Sequence, residues 1–316
     1  MMTTSLLLIA LSSVAASQLP PGDHFRWLEI GGQTRSYSVH VPPSHDPAKP
    51  TPVVLVLHSA AMNAASMARF CGLNEKADRA GFVVVYPNGT GSTPLFLYWD
   101  AGGVRGRPSD DVGYVAKVLD DLATAVNVDP KRVFATGMSN GAMMCYRLAA
   151  ELSDRIAAIA PVSGTMAIES CRPSRPVPVL HFHGTKDGLV LYGGPDDRIP
   201  KNLKFLSVED SVRAWARVNG CPETPVVAAL PDTASDDGTT VKRTTYGPGK
   251  GGSEVILYAI EGGGHTWPGR KPRMPFLGKS TSDISANDLI WEFFQRHPIE
   301  NAPGLTEHRR NEKRGG

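Results

Sequence analysis

Unbroken apolar runs and stretches of helical spacing alternate along the chain. "PVVLVLH" (52–58) is a continuous run of β-branched and leucine residues, the pattern of a strand covered on both faces. "FVVVYP" (82–87), "RVFATG" (132–137), "IAAIAPVSG" (156–164) and "VPVLHFHG" (177–184) repeat that pattern. "RSYSVHVP" (35–42) alternates like an early strand, and "EVILYAIEGGGH" (254–265) is a last strand running into glycines. Between these runs the spacing predicts helices at about 64–80, 111–126, 140–152, 208–218 and 284–296. "PDTASDDGTT" (231–240) reads as a loop. Strand and helix in alternation predict an α/β fold, a mostly parallel, doubly wound sheet with helices on both faces. No repeat and no linker divides the chain, so residues 17–300 read as one domain.

The two ends differ from this body. Leu6 to Leu11 is an apolar run followed by small residues, with Val14 and Ala16 suited to cleavage before Ser17. That run is too short to span a bilayer, so residues 1–16 read as a removed secretory signal. No later stretch has the length of a membrane helix. "HRRNEKRGG" (308–316) is polar and basic, and 301–316 reads as a solvated tail. At 316 residues and 41% hydrophobic residues, the chain is long enough to bury a large core. The formal net charge of +2 is near balance, so nothing global points to nucleic acid or an anionic surface. Export would place Cys71, Cys145, Cys171 and Cys221 in an oxidising compartment. They form no C-x-x-C pair and no zinc-like Cys/His spacing, so no metal site is expected. Two disulfides are open to them, whereas Cys145, in an apolar helix, reads as a buried thiol.

"ATGMSNGA" (135–142) puts Ser139 between Gly137 and Gly141, where a strand ends and a helix begins. A G-x-S-x-G at such a turn is a nucleophile elbow, whose glycines let a sharp turn pack against its neighbours. The other reading is a structural Gly-Ser turn. A serine hydroxyl needs a base, and the base needs a carboxylate to orient it. Asp187 follows the "VPVLHFHG" strand and His265 follows the last strand, in the order Ser, Asp, His. Asp196 and Asp197, in a Gly/Pro-rich loop, are the main rivals to Asp187. Asp110 and Asp111 suit a helix start, and His297 a helix end. His181 and His183 read as core or loop-end residues, and His58 as shaping the loop after its strand. The oxyanion needs donors already in place. Asn140 N–H is one candidate, and Ser59 or Ala60 after the "PVVLVLH" strand supplies the other.

"GMSNGAMMCYRLAAEL", "VPVLHFHGTKD" and "IEGGGHTWPG" together resemble the polyhydroxybutyrate-depolymerase-like and feruloyl esterases, a branch of carbohydrate esterase family one, over about Thr34 to His297. The resemblance implies an α/β-hydrolase fold, no cofactor, secretion and hydrolysis of carboxylic esters. It carries the nucleophile onto Ser139, the acid onto Asp187 and the base onto His265. Two departures stand out. Relatives usually have glycine where this chain has Ser59. Many also pair a cysteine like Cys221 with one before the histidine strand, where "TTYGPGKGGSEV" has none. Trp267 and Trp99, with Phe96 and Tyr98 beside the latter, could wall a site for a ring or short acyl group; the other reading of Phe96, Tyr98 and Trp267 is ordinary loop packing. The expected partner is an ester substrate on plant polysaccharide, or a polyester. Oligomeric state is open.

Overall fold

The computed structural model describes residues 18–102, 109–168, 170–197, 199, 201, 203–272 and 274–300. The segments read above as a leader (1–16) and a solvated tail (301–316) lie outside them. The chain starts with β1 (Gly22–Ile30), β2 (Gln33–Val41) and β3 (Thr51–Leu57), then α1 (Ala64–Cys71) and α2 (Leu73–Ala80). β4 (Val83–Pro87) leads into a hairpin of β5 (Thr90–Thr93) and β6 (Phe96–Tyr98). Next come α3 (Asp111–Ala125), β7 (Val128–Met138), α4 (Asn140–Glu151), β8 (Ile159–Val162) and β9 (Val179–Gly184). α5 (Val208–Val218), β10 (Val226–Ala229), β11 (Thr240–Tyr246), β12 (Val255–Glu261) and α6 (Ala286–Arg296) complete it.

All these strands except β5 and β6 form one sheet, in the order β1-β2-β4-β3-β7-β8-β9-β12-β11-β10. From β4 to β12 neighbours run parallel. The strands outside β4 and β12 pair antiparallel on both edges. β3 shows why the central strands are apolar throughout, since every residue in it is buried. Val53, Leu55 and Leu57 join the core beneath α3, α4 and α5, while Val54 and Val56 join the one beneath α1, α2 and α6. Alternate side chains thus feed opposite faces, and helices cover both.

The departures from the sequence reading have physical causes. The helix expected at 64–80 is two, broken at Gly72, whose backbone is left-handed at φ 61. β1 exposes Phe25 and Trp27 on its open face, so its alternation carries aromatics outward. β10 and β11 flank the polar 231–240 stretch as an edge hairpin, and Thr240 already belongs to β11. The chain order reverses at β3, with β4 on one side and β7 on the other. In such sheets the crevice beyond the carboxyl ends at this reversal is where ligands bind.

Candidate active site

Ser139 stands at this crevice, between the end of β7 and the start of α4. Its φ and ψ are 57° and −120°, a conformation costly for any residue with a side chain. Only two other non-glycine residues among those described have positive φ, Ala61 and Ser163, and they follow β3 and β8 on either side of β7. Three strained residues at three adjacent strand ends mark one place. The elbow fits because its glycines lack side chains. A Cβ on Gly141 would lie 2.3 Å from the Leu57 carbonyl oxygen, and one on Gly137 would lie 2.8 Å from it. A Cβ on Gly164 would lie 2.2 Å from the Ser139 carbonyl oxygen. The Ser139 N–H donates to Val162 O at 2.9 Å, tying the elbow to β8.

Asp187 and His265 follow the next two strands, and backbone contacts bring those strand ends together. Thr185 N–H donates to Ile260 O at 2.9 Å, and Lys186 N–H to Gly263 O at 2.8 Å. His265 Nδ1–H donates to Asp187 Oδ2 at 2.7 Å. The other carboxylate oxygen accepts the N–H groups of Leu189 and Val190, each at 2.9 Å. Both side chains are buried. Burial alone would raise the Asp187 pKa, but the hydrogen bond and charge of His265, with His183 and the backbone donors, hold it below the ordinary carboxylate value. With Nδ1 committed to Asp187, Nε2 is the ring atom left for proton transfer. The β8 loop links this pair to the elbow. Gly164 packs on Ser139, and the neighbouring Ser163 hydroxyl donates to Thr266 O at 3.5 Å. Asp196 and Asp197 instead line a cavity of about 720 Å³ with Met166, Cys171 and Phe205.

The candidate oxyanion donors sit on a braced framework. Asn140 is the first residue of α4, where N–H groups have no acceptor within the helix. Its side chain accepts from Trp99 N–H at 2.7 Å and donates to Trp99 O at 3.1 Å. The Trp99 indole N–H donates to His58 O at 3.0 Å. His58 Nδ1–H donates to Ser59 O at 2.8 Å, and its Nε2 accepts from Gly89 N–H at 2.9 Å. Ser59 and Ala60 therefore lie on a loop pinned between β3, Trp99 and the β4–β5 turn. Ala61 N–H is taken by Leu97 O of the hairpin at 2.9 Å.

The two tryptophans are not where the sequence reading put them. Trp99 is 0% and Trp267 1% exposed, so neither indole faces a substrate. Trp99 is a bracket for Asn140 and His58, and the Trp267 indole N–H donates to Asn287 Oδ1 of α6 at 2.9 Å. Exposed apolar side chains on loops that touch the site include Leu95 and Phe96 of the hairpin, Leu189 beside Asp187, and Met274 and Phe276, near the Leu277 carbonyl that accepts His265 N–H. Phe96 and Tyr98, by contrast, keep the exposure a wall needs. None of the four cysteines is paired, and Cys145 is buried. Among the described residues, no group of three or more His, Cys, Asp or Glu side chains is arranged to hold a metal ion.

The acetyl xylan esterase from Aspergillus awamori superposes with a TM-score of 0.56 at 17% identity, over 77% of this chain and 94% of the other. That likeness gives the fold, the α/β-hydrolase. NocK of Nocardia uniformis subsp. tsuyamanensis, an esterase by name, is 35% identical over 288 residues, covering 85% of this chain and 81% of the relative. Feruloyl esterase B of Piromyces equi is 32% identical over 192 residues, 58% of this chain, and the match spans only 34% of that protein. The family and the relatives define a carboxylic ester hydrolase. Residues 35–191 match the esterase PHB depolymerase family, and the chain belongs to it.

Proposed function

We propose that this chain is a secreted serine esterase acting through a Ser139–His265–Asp187 triad. The supporting observations are the 2.7 Å bond from His265 Nδ1 to Asp187 and the strained Ser139 past the end of another strand of the same sheet. Ser139 Oγ attacks the ester carbonyl while His265 Nε2 takes its proton. Asp187 fixes the imidazole and stabilises its charge. The carbonyl oxygen, now negative, is bound by Asn140 N–H and an N–H of Ser59 or Ala60. His265 returns the proton to the leaving alcohol, and water deacylates the serine by the same route. Residues 17–300 form the catalytic domain, and the N-terminal apolar pattern supports secretion. Among the described residues no helix is long and apolar enough to cross a membrane.

The leading substrate is a feruloyl or related aryl or short-chain ester, in keeping with the feruloyl esterase relative. A short-chain polyester of the polyhydroxybutyrate type is the second reading, favoured by the family and by the exposed Leu95, Phe96, Leu189 and Phe276. A fluorophosphonate probe should label Ser139 and no other residue. The labelled protein should lose activity on methyl ferulate, acetylated xylan, hydroxybutyrate oligomers and p-nitrophenyl butyrate. Ranking these four by kcat/KM separates the two substrates, and a wild-type protein that takes no label refutes the triad.

A further inference from the structure

Behind Asp187 lies a buried chain of rings that the reaction does not touch. His181 and His183 are two apart on β9, so both project to the same face while Phe182 projects to the other. Their rings stack, with centroids 5.3 Å apart and planes 7° from parallel. His181 Nε2 lies 3.1 Å from His183 Nδ1. At one end the Tyr146 hydroxyl of α4 lies 2.7 Å from His181 Nδ1. At the other, His183 Nε2 lies 2.8 Å from Val190 O and 3.4 Å from Asp187 Oδ2. Tyr146 and His181 are wholly buried and His183 nearly so.

Donor and acceptor roles along this chain are forced. Val190 O only accepts, so His183 Nε2 carries the proton. Burial pushes His181 well below, and His183 below, the ordinary histidine value, so both rings are neutral. A neutral His183 with its proton on Nε2 has a bare Nδ1, which accepts from His181 Nε2–H. That leaves His181 Nδ1 bare, to accept the Tyr146 O–H. Every donor in the row points toward Asp187. The N–H at its end meets the carbonyl of Val190, whose own N–H binds Asp187 Oδ1. The titratable groups nearest the two rings are Tyr146, Tyr192, Asp187 and His265.

We propose that His183 is a positioning residue for Asp187, and that the Tyr146–His181 pair fixes its ring proton on Nε2. This rests on the triad reading above. The row closes the 187–190 turn around the carboxylate and presents a neutral dipole to its flank. Asp187 is thereby aimed at His265 without a second cation competing for it.

The test uses His183→Phe, which keeps an aromatic ring but loses the N–H, and His183→Gln, which restores a donor. His183→Phe should lower kcat on p-nitrophenyl acetate about ten- to hundredfold, the size of the loss seen when the outer partner of a metal ligand is removed, with KM within about twofold. His183→Gln should recover part of that loss. The downfield proton shared by His265 Nδ1 and Asp187 should move upfield in His183→Phe and return toward its wild-type position in His183→Gln. Nitrogen-15 spectra of the wild type should show both His181 and His183 with the proton on Nε2, and Tyr146→Phe should disturb that state at His181. Wild-type kcat in His183→Phe, or a His183 proton on Nδ1 in the wild type, would overturn the proposal. Should His183→Phe not fold, the wild-type and Tyr146→Phe spectra decide alone. A protein that takes no fluorophosphonate and cleaves no ester fails the triad reading instead, while the tautomer spectra still report on the row.

Discussion

His58→Gln removes a ring that the fold keeps neutral beneath the Ser59–Ala60 loop. His58 is fully buried, spends both nitrogens on backbone partners, and lies 4.9 Å from the Trp99 ring. Burial pushes its pKa from the ordinary 6.5 down to about 4, helped by the charge of Arg35 and opposed by the bond to Ser59. In the unfolded chain His58 takes up its proton near 6.5, but in the folded protein not until about 4. Between those values the unfolded state binds more protons, so stability falls as pH falls through this window. Below about 4 the group adds nothing further. At about 1.4 kcal/mol per pH unit, the loss between pH 7.5 and pH 4 comes to about 3 kcal/mol. Against a typical stability of about 5–15 kcal/mol, that is a large share. Urea unfolding at half-unit pH steps, on wild type and His58→Gln, gives the difference directly. Other buried histidines and carboxylates are common to both proteins and cancel. Near neutral pH the wild type should be the more stable, because the variant loses the packing on Trp99. That advantage should shrink by about 3 kcal/mol by pH 4. A gap that stays constant over this range would refute the argument that His58 is held neutral by burial.

Gly164→Ala would place a Cβ 2.2 Å from the Ser139 carbonyl oxygen and 2.8 Å from Ala142 Cβ, so the elbow must move. Displacement of about 1 Å at a reacting group can cost about 10²-fold, and kcat should fall by that order while circular dichroism shows a folded protein. Asp187→Asn should lower kcat by about 10⁴-fold, as in serine proteases that lose the orienting aspartate, whereas Asp197→Asn should change it little. The opposite ranking in steady-state kinetics would move the acid to the 195–201 loop. Trp267→Ala should lower the melting temperature, with about 3–5 kcal/mol lost, because the indole is buried against Phe70 and Asn287. It should leave the ratio of kcat/KM for methyl ferulate to that for p-nitrophenyl acetate unchanged, and a selective loss on ferulate would show the indole reaching the substrate.

How much was legible follows from how local each signal is. A central strand such as β3 is apolar on both faces, so its own seven residues announce it. The elbow announces itself too, because the steric demands on Gly137 and Gly141 fall within one short motif. That Asp187 and His265 sit just past buried strands was readable, although the 2.7 Å bond between them joins residues 78 apart. The edge strands were harder. β1 turns Phe25 and Trp27 outward, and β11 carries "VKRTT", so neither shows the apolar-inward pattern that marks a strand.

Trp99 and Trp267 fail for a different reason. Both lie in loops at the right end of the sheet, and an aromatic there reads as a wall of the site. Whether the indole faces outward or inward depends on what waits beneath it. For Trp99 that is the His58 carbonyl and the Asn140 side chain, each 41 residues away, and for Trp267 it is Asn287 on α6. Burying an indole without a partner for its N–H is costly, so a carbonyl or amide placed underneath decides the matter. The same logic holds for "HFHG". Alternation puts His181 and His183 on one face, but Tyr146, 35 residues earlier on another element, fixes where their protons sit. A local pattern can place a side chain on a face, and only the partners supplied by distant segments decide whether that face binds substrate or braces the groups that do.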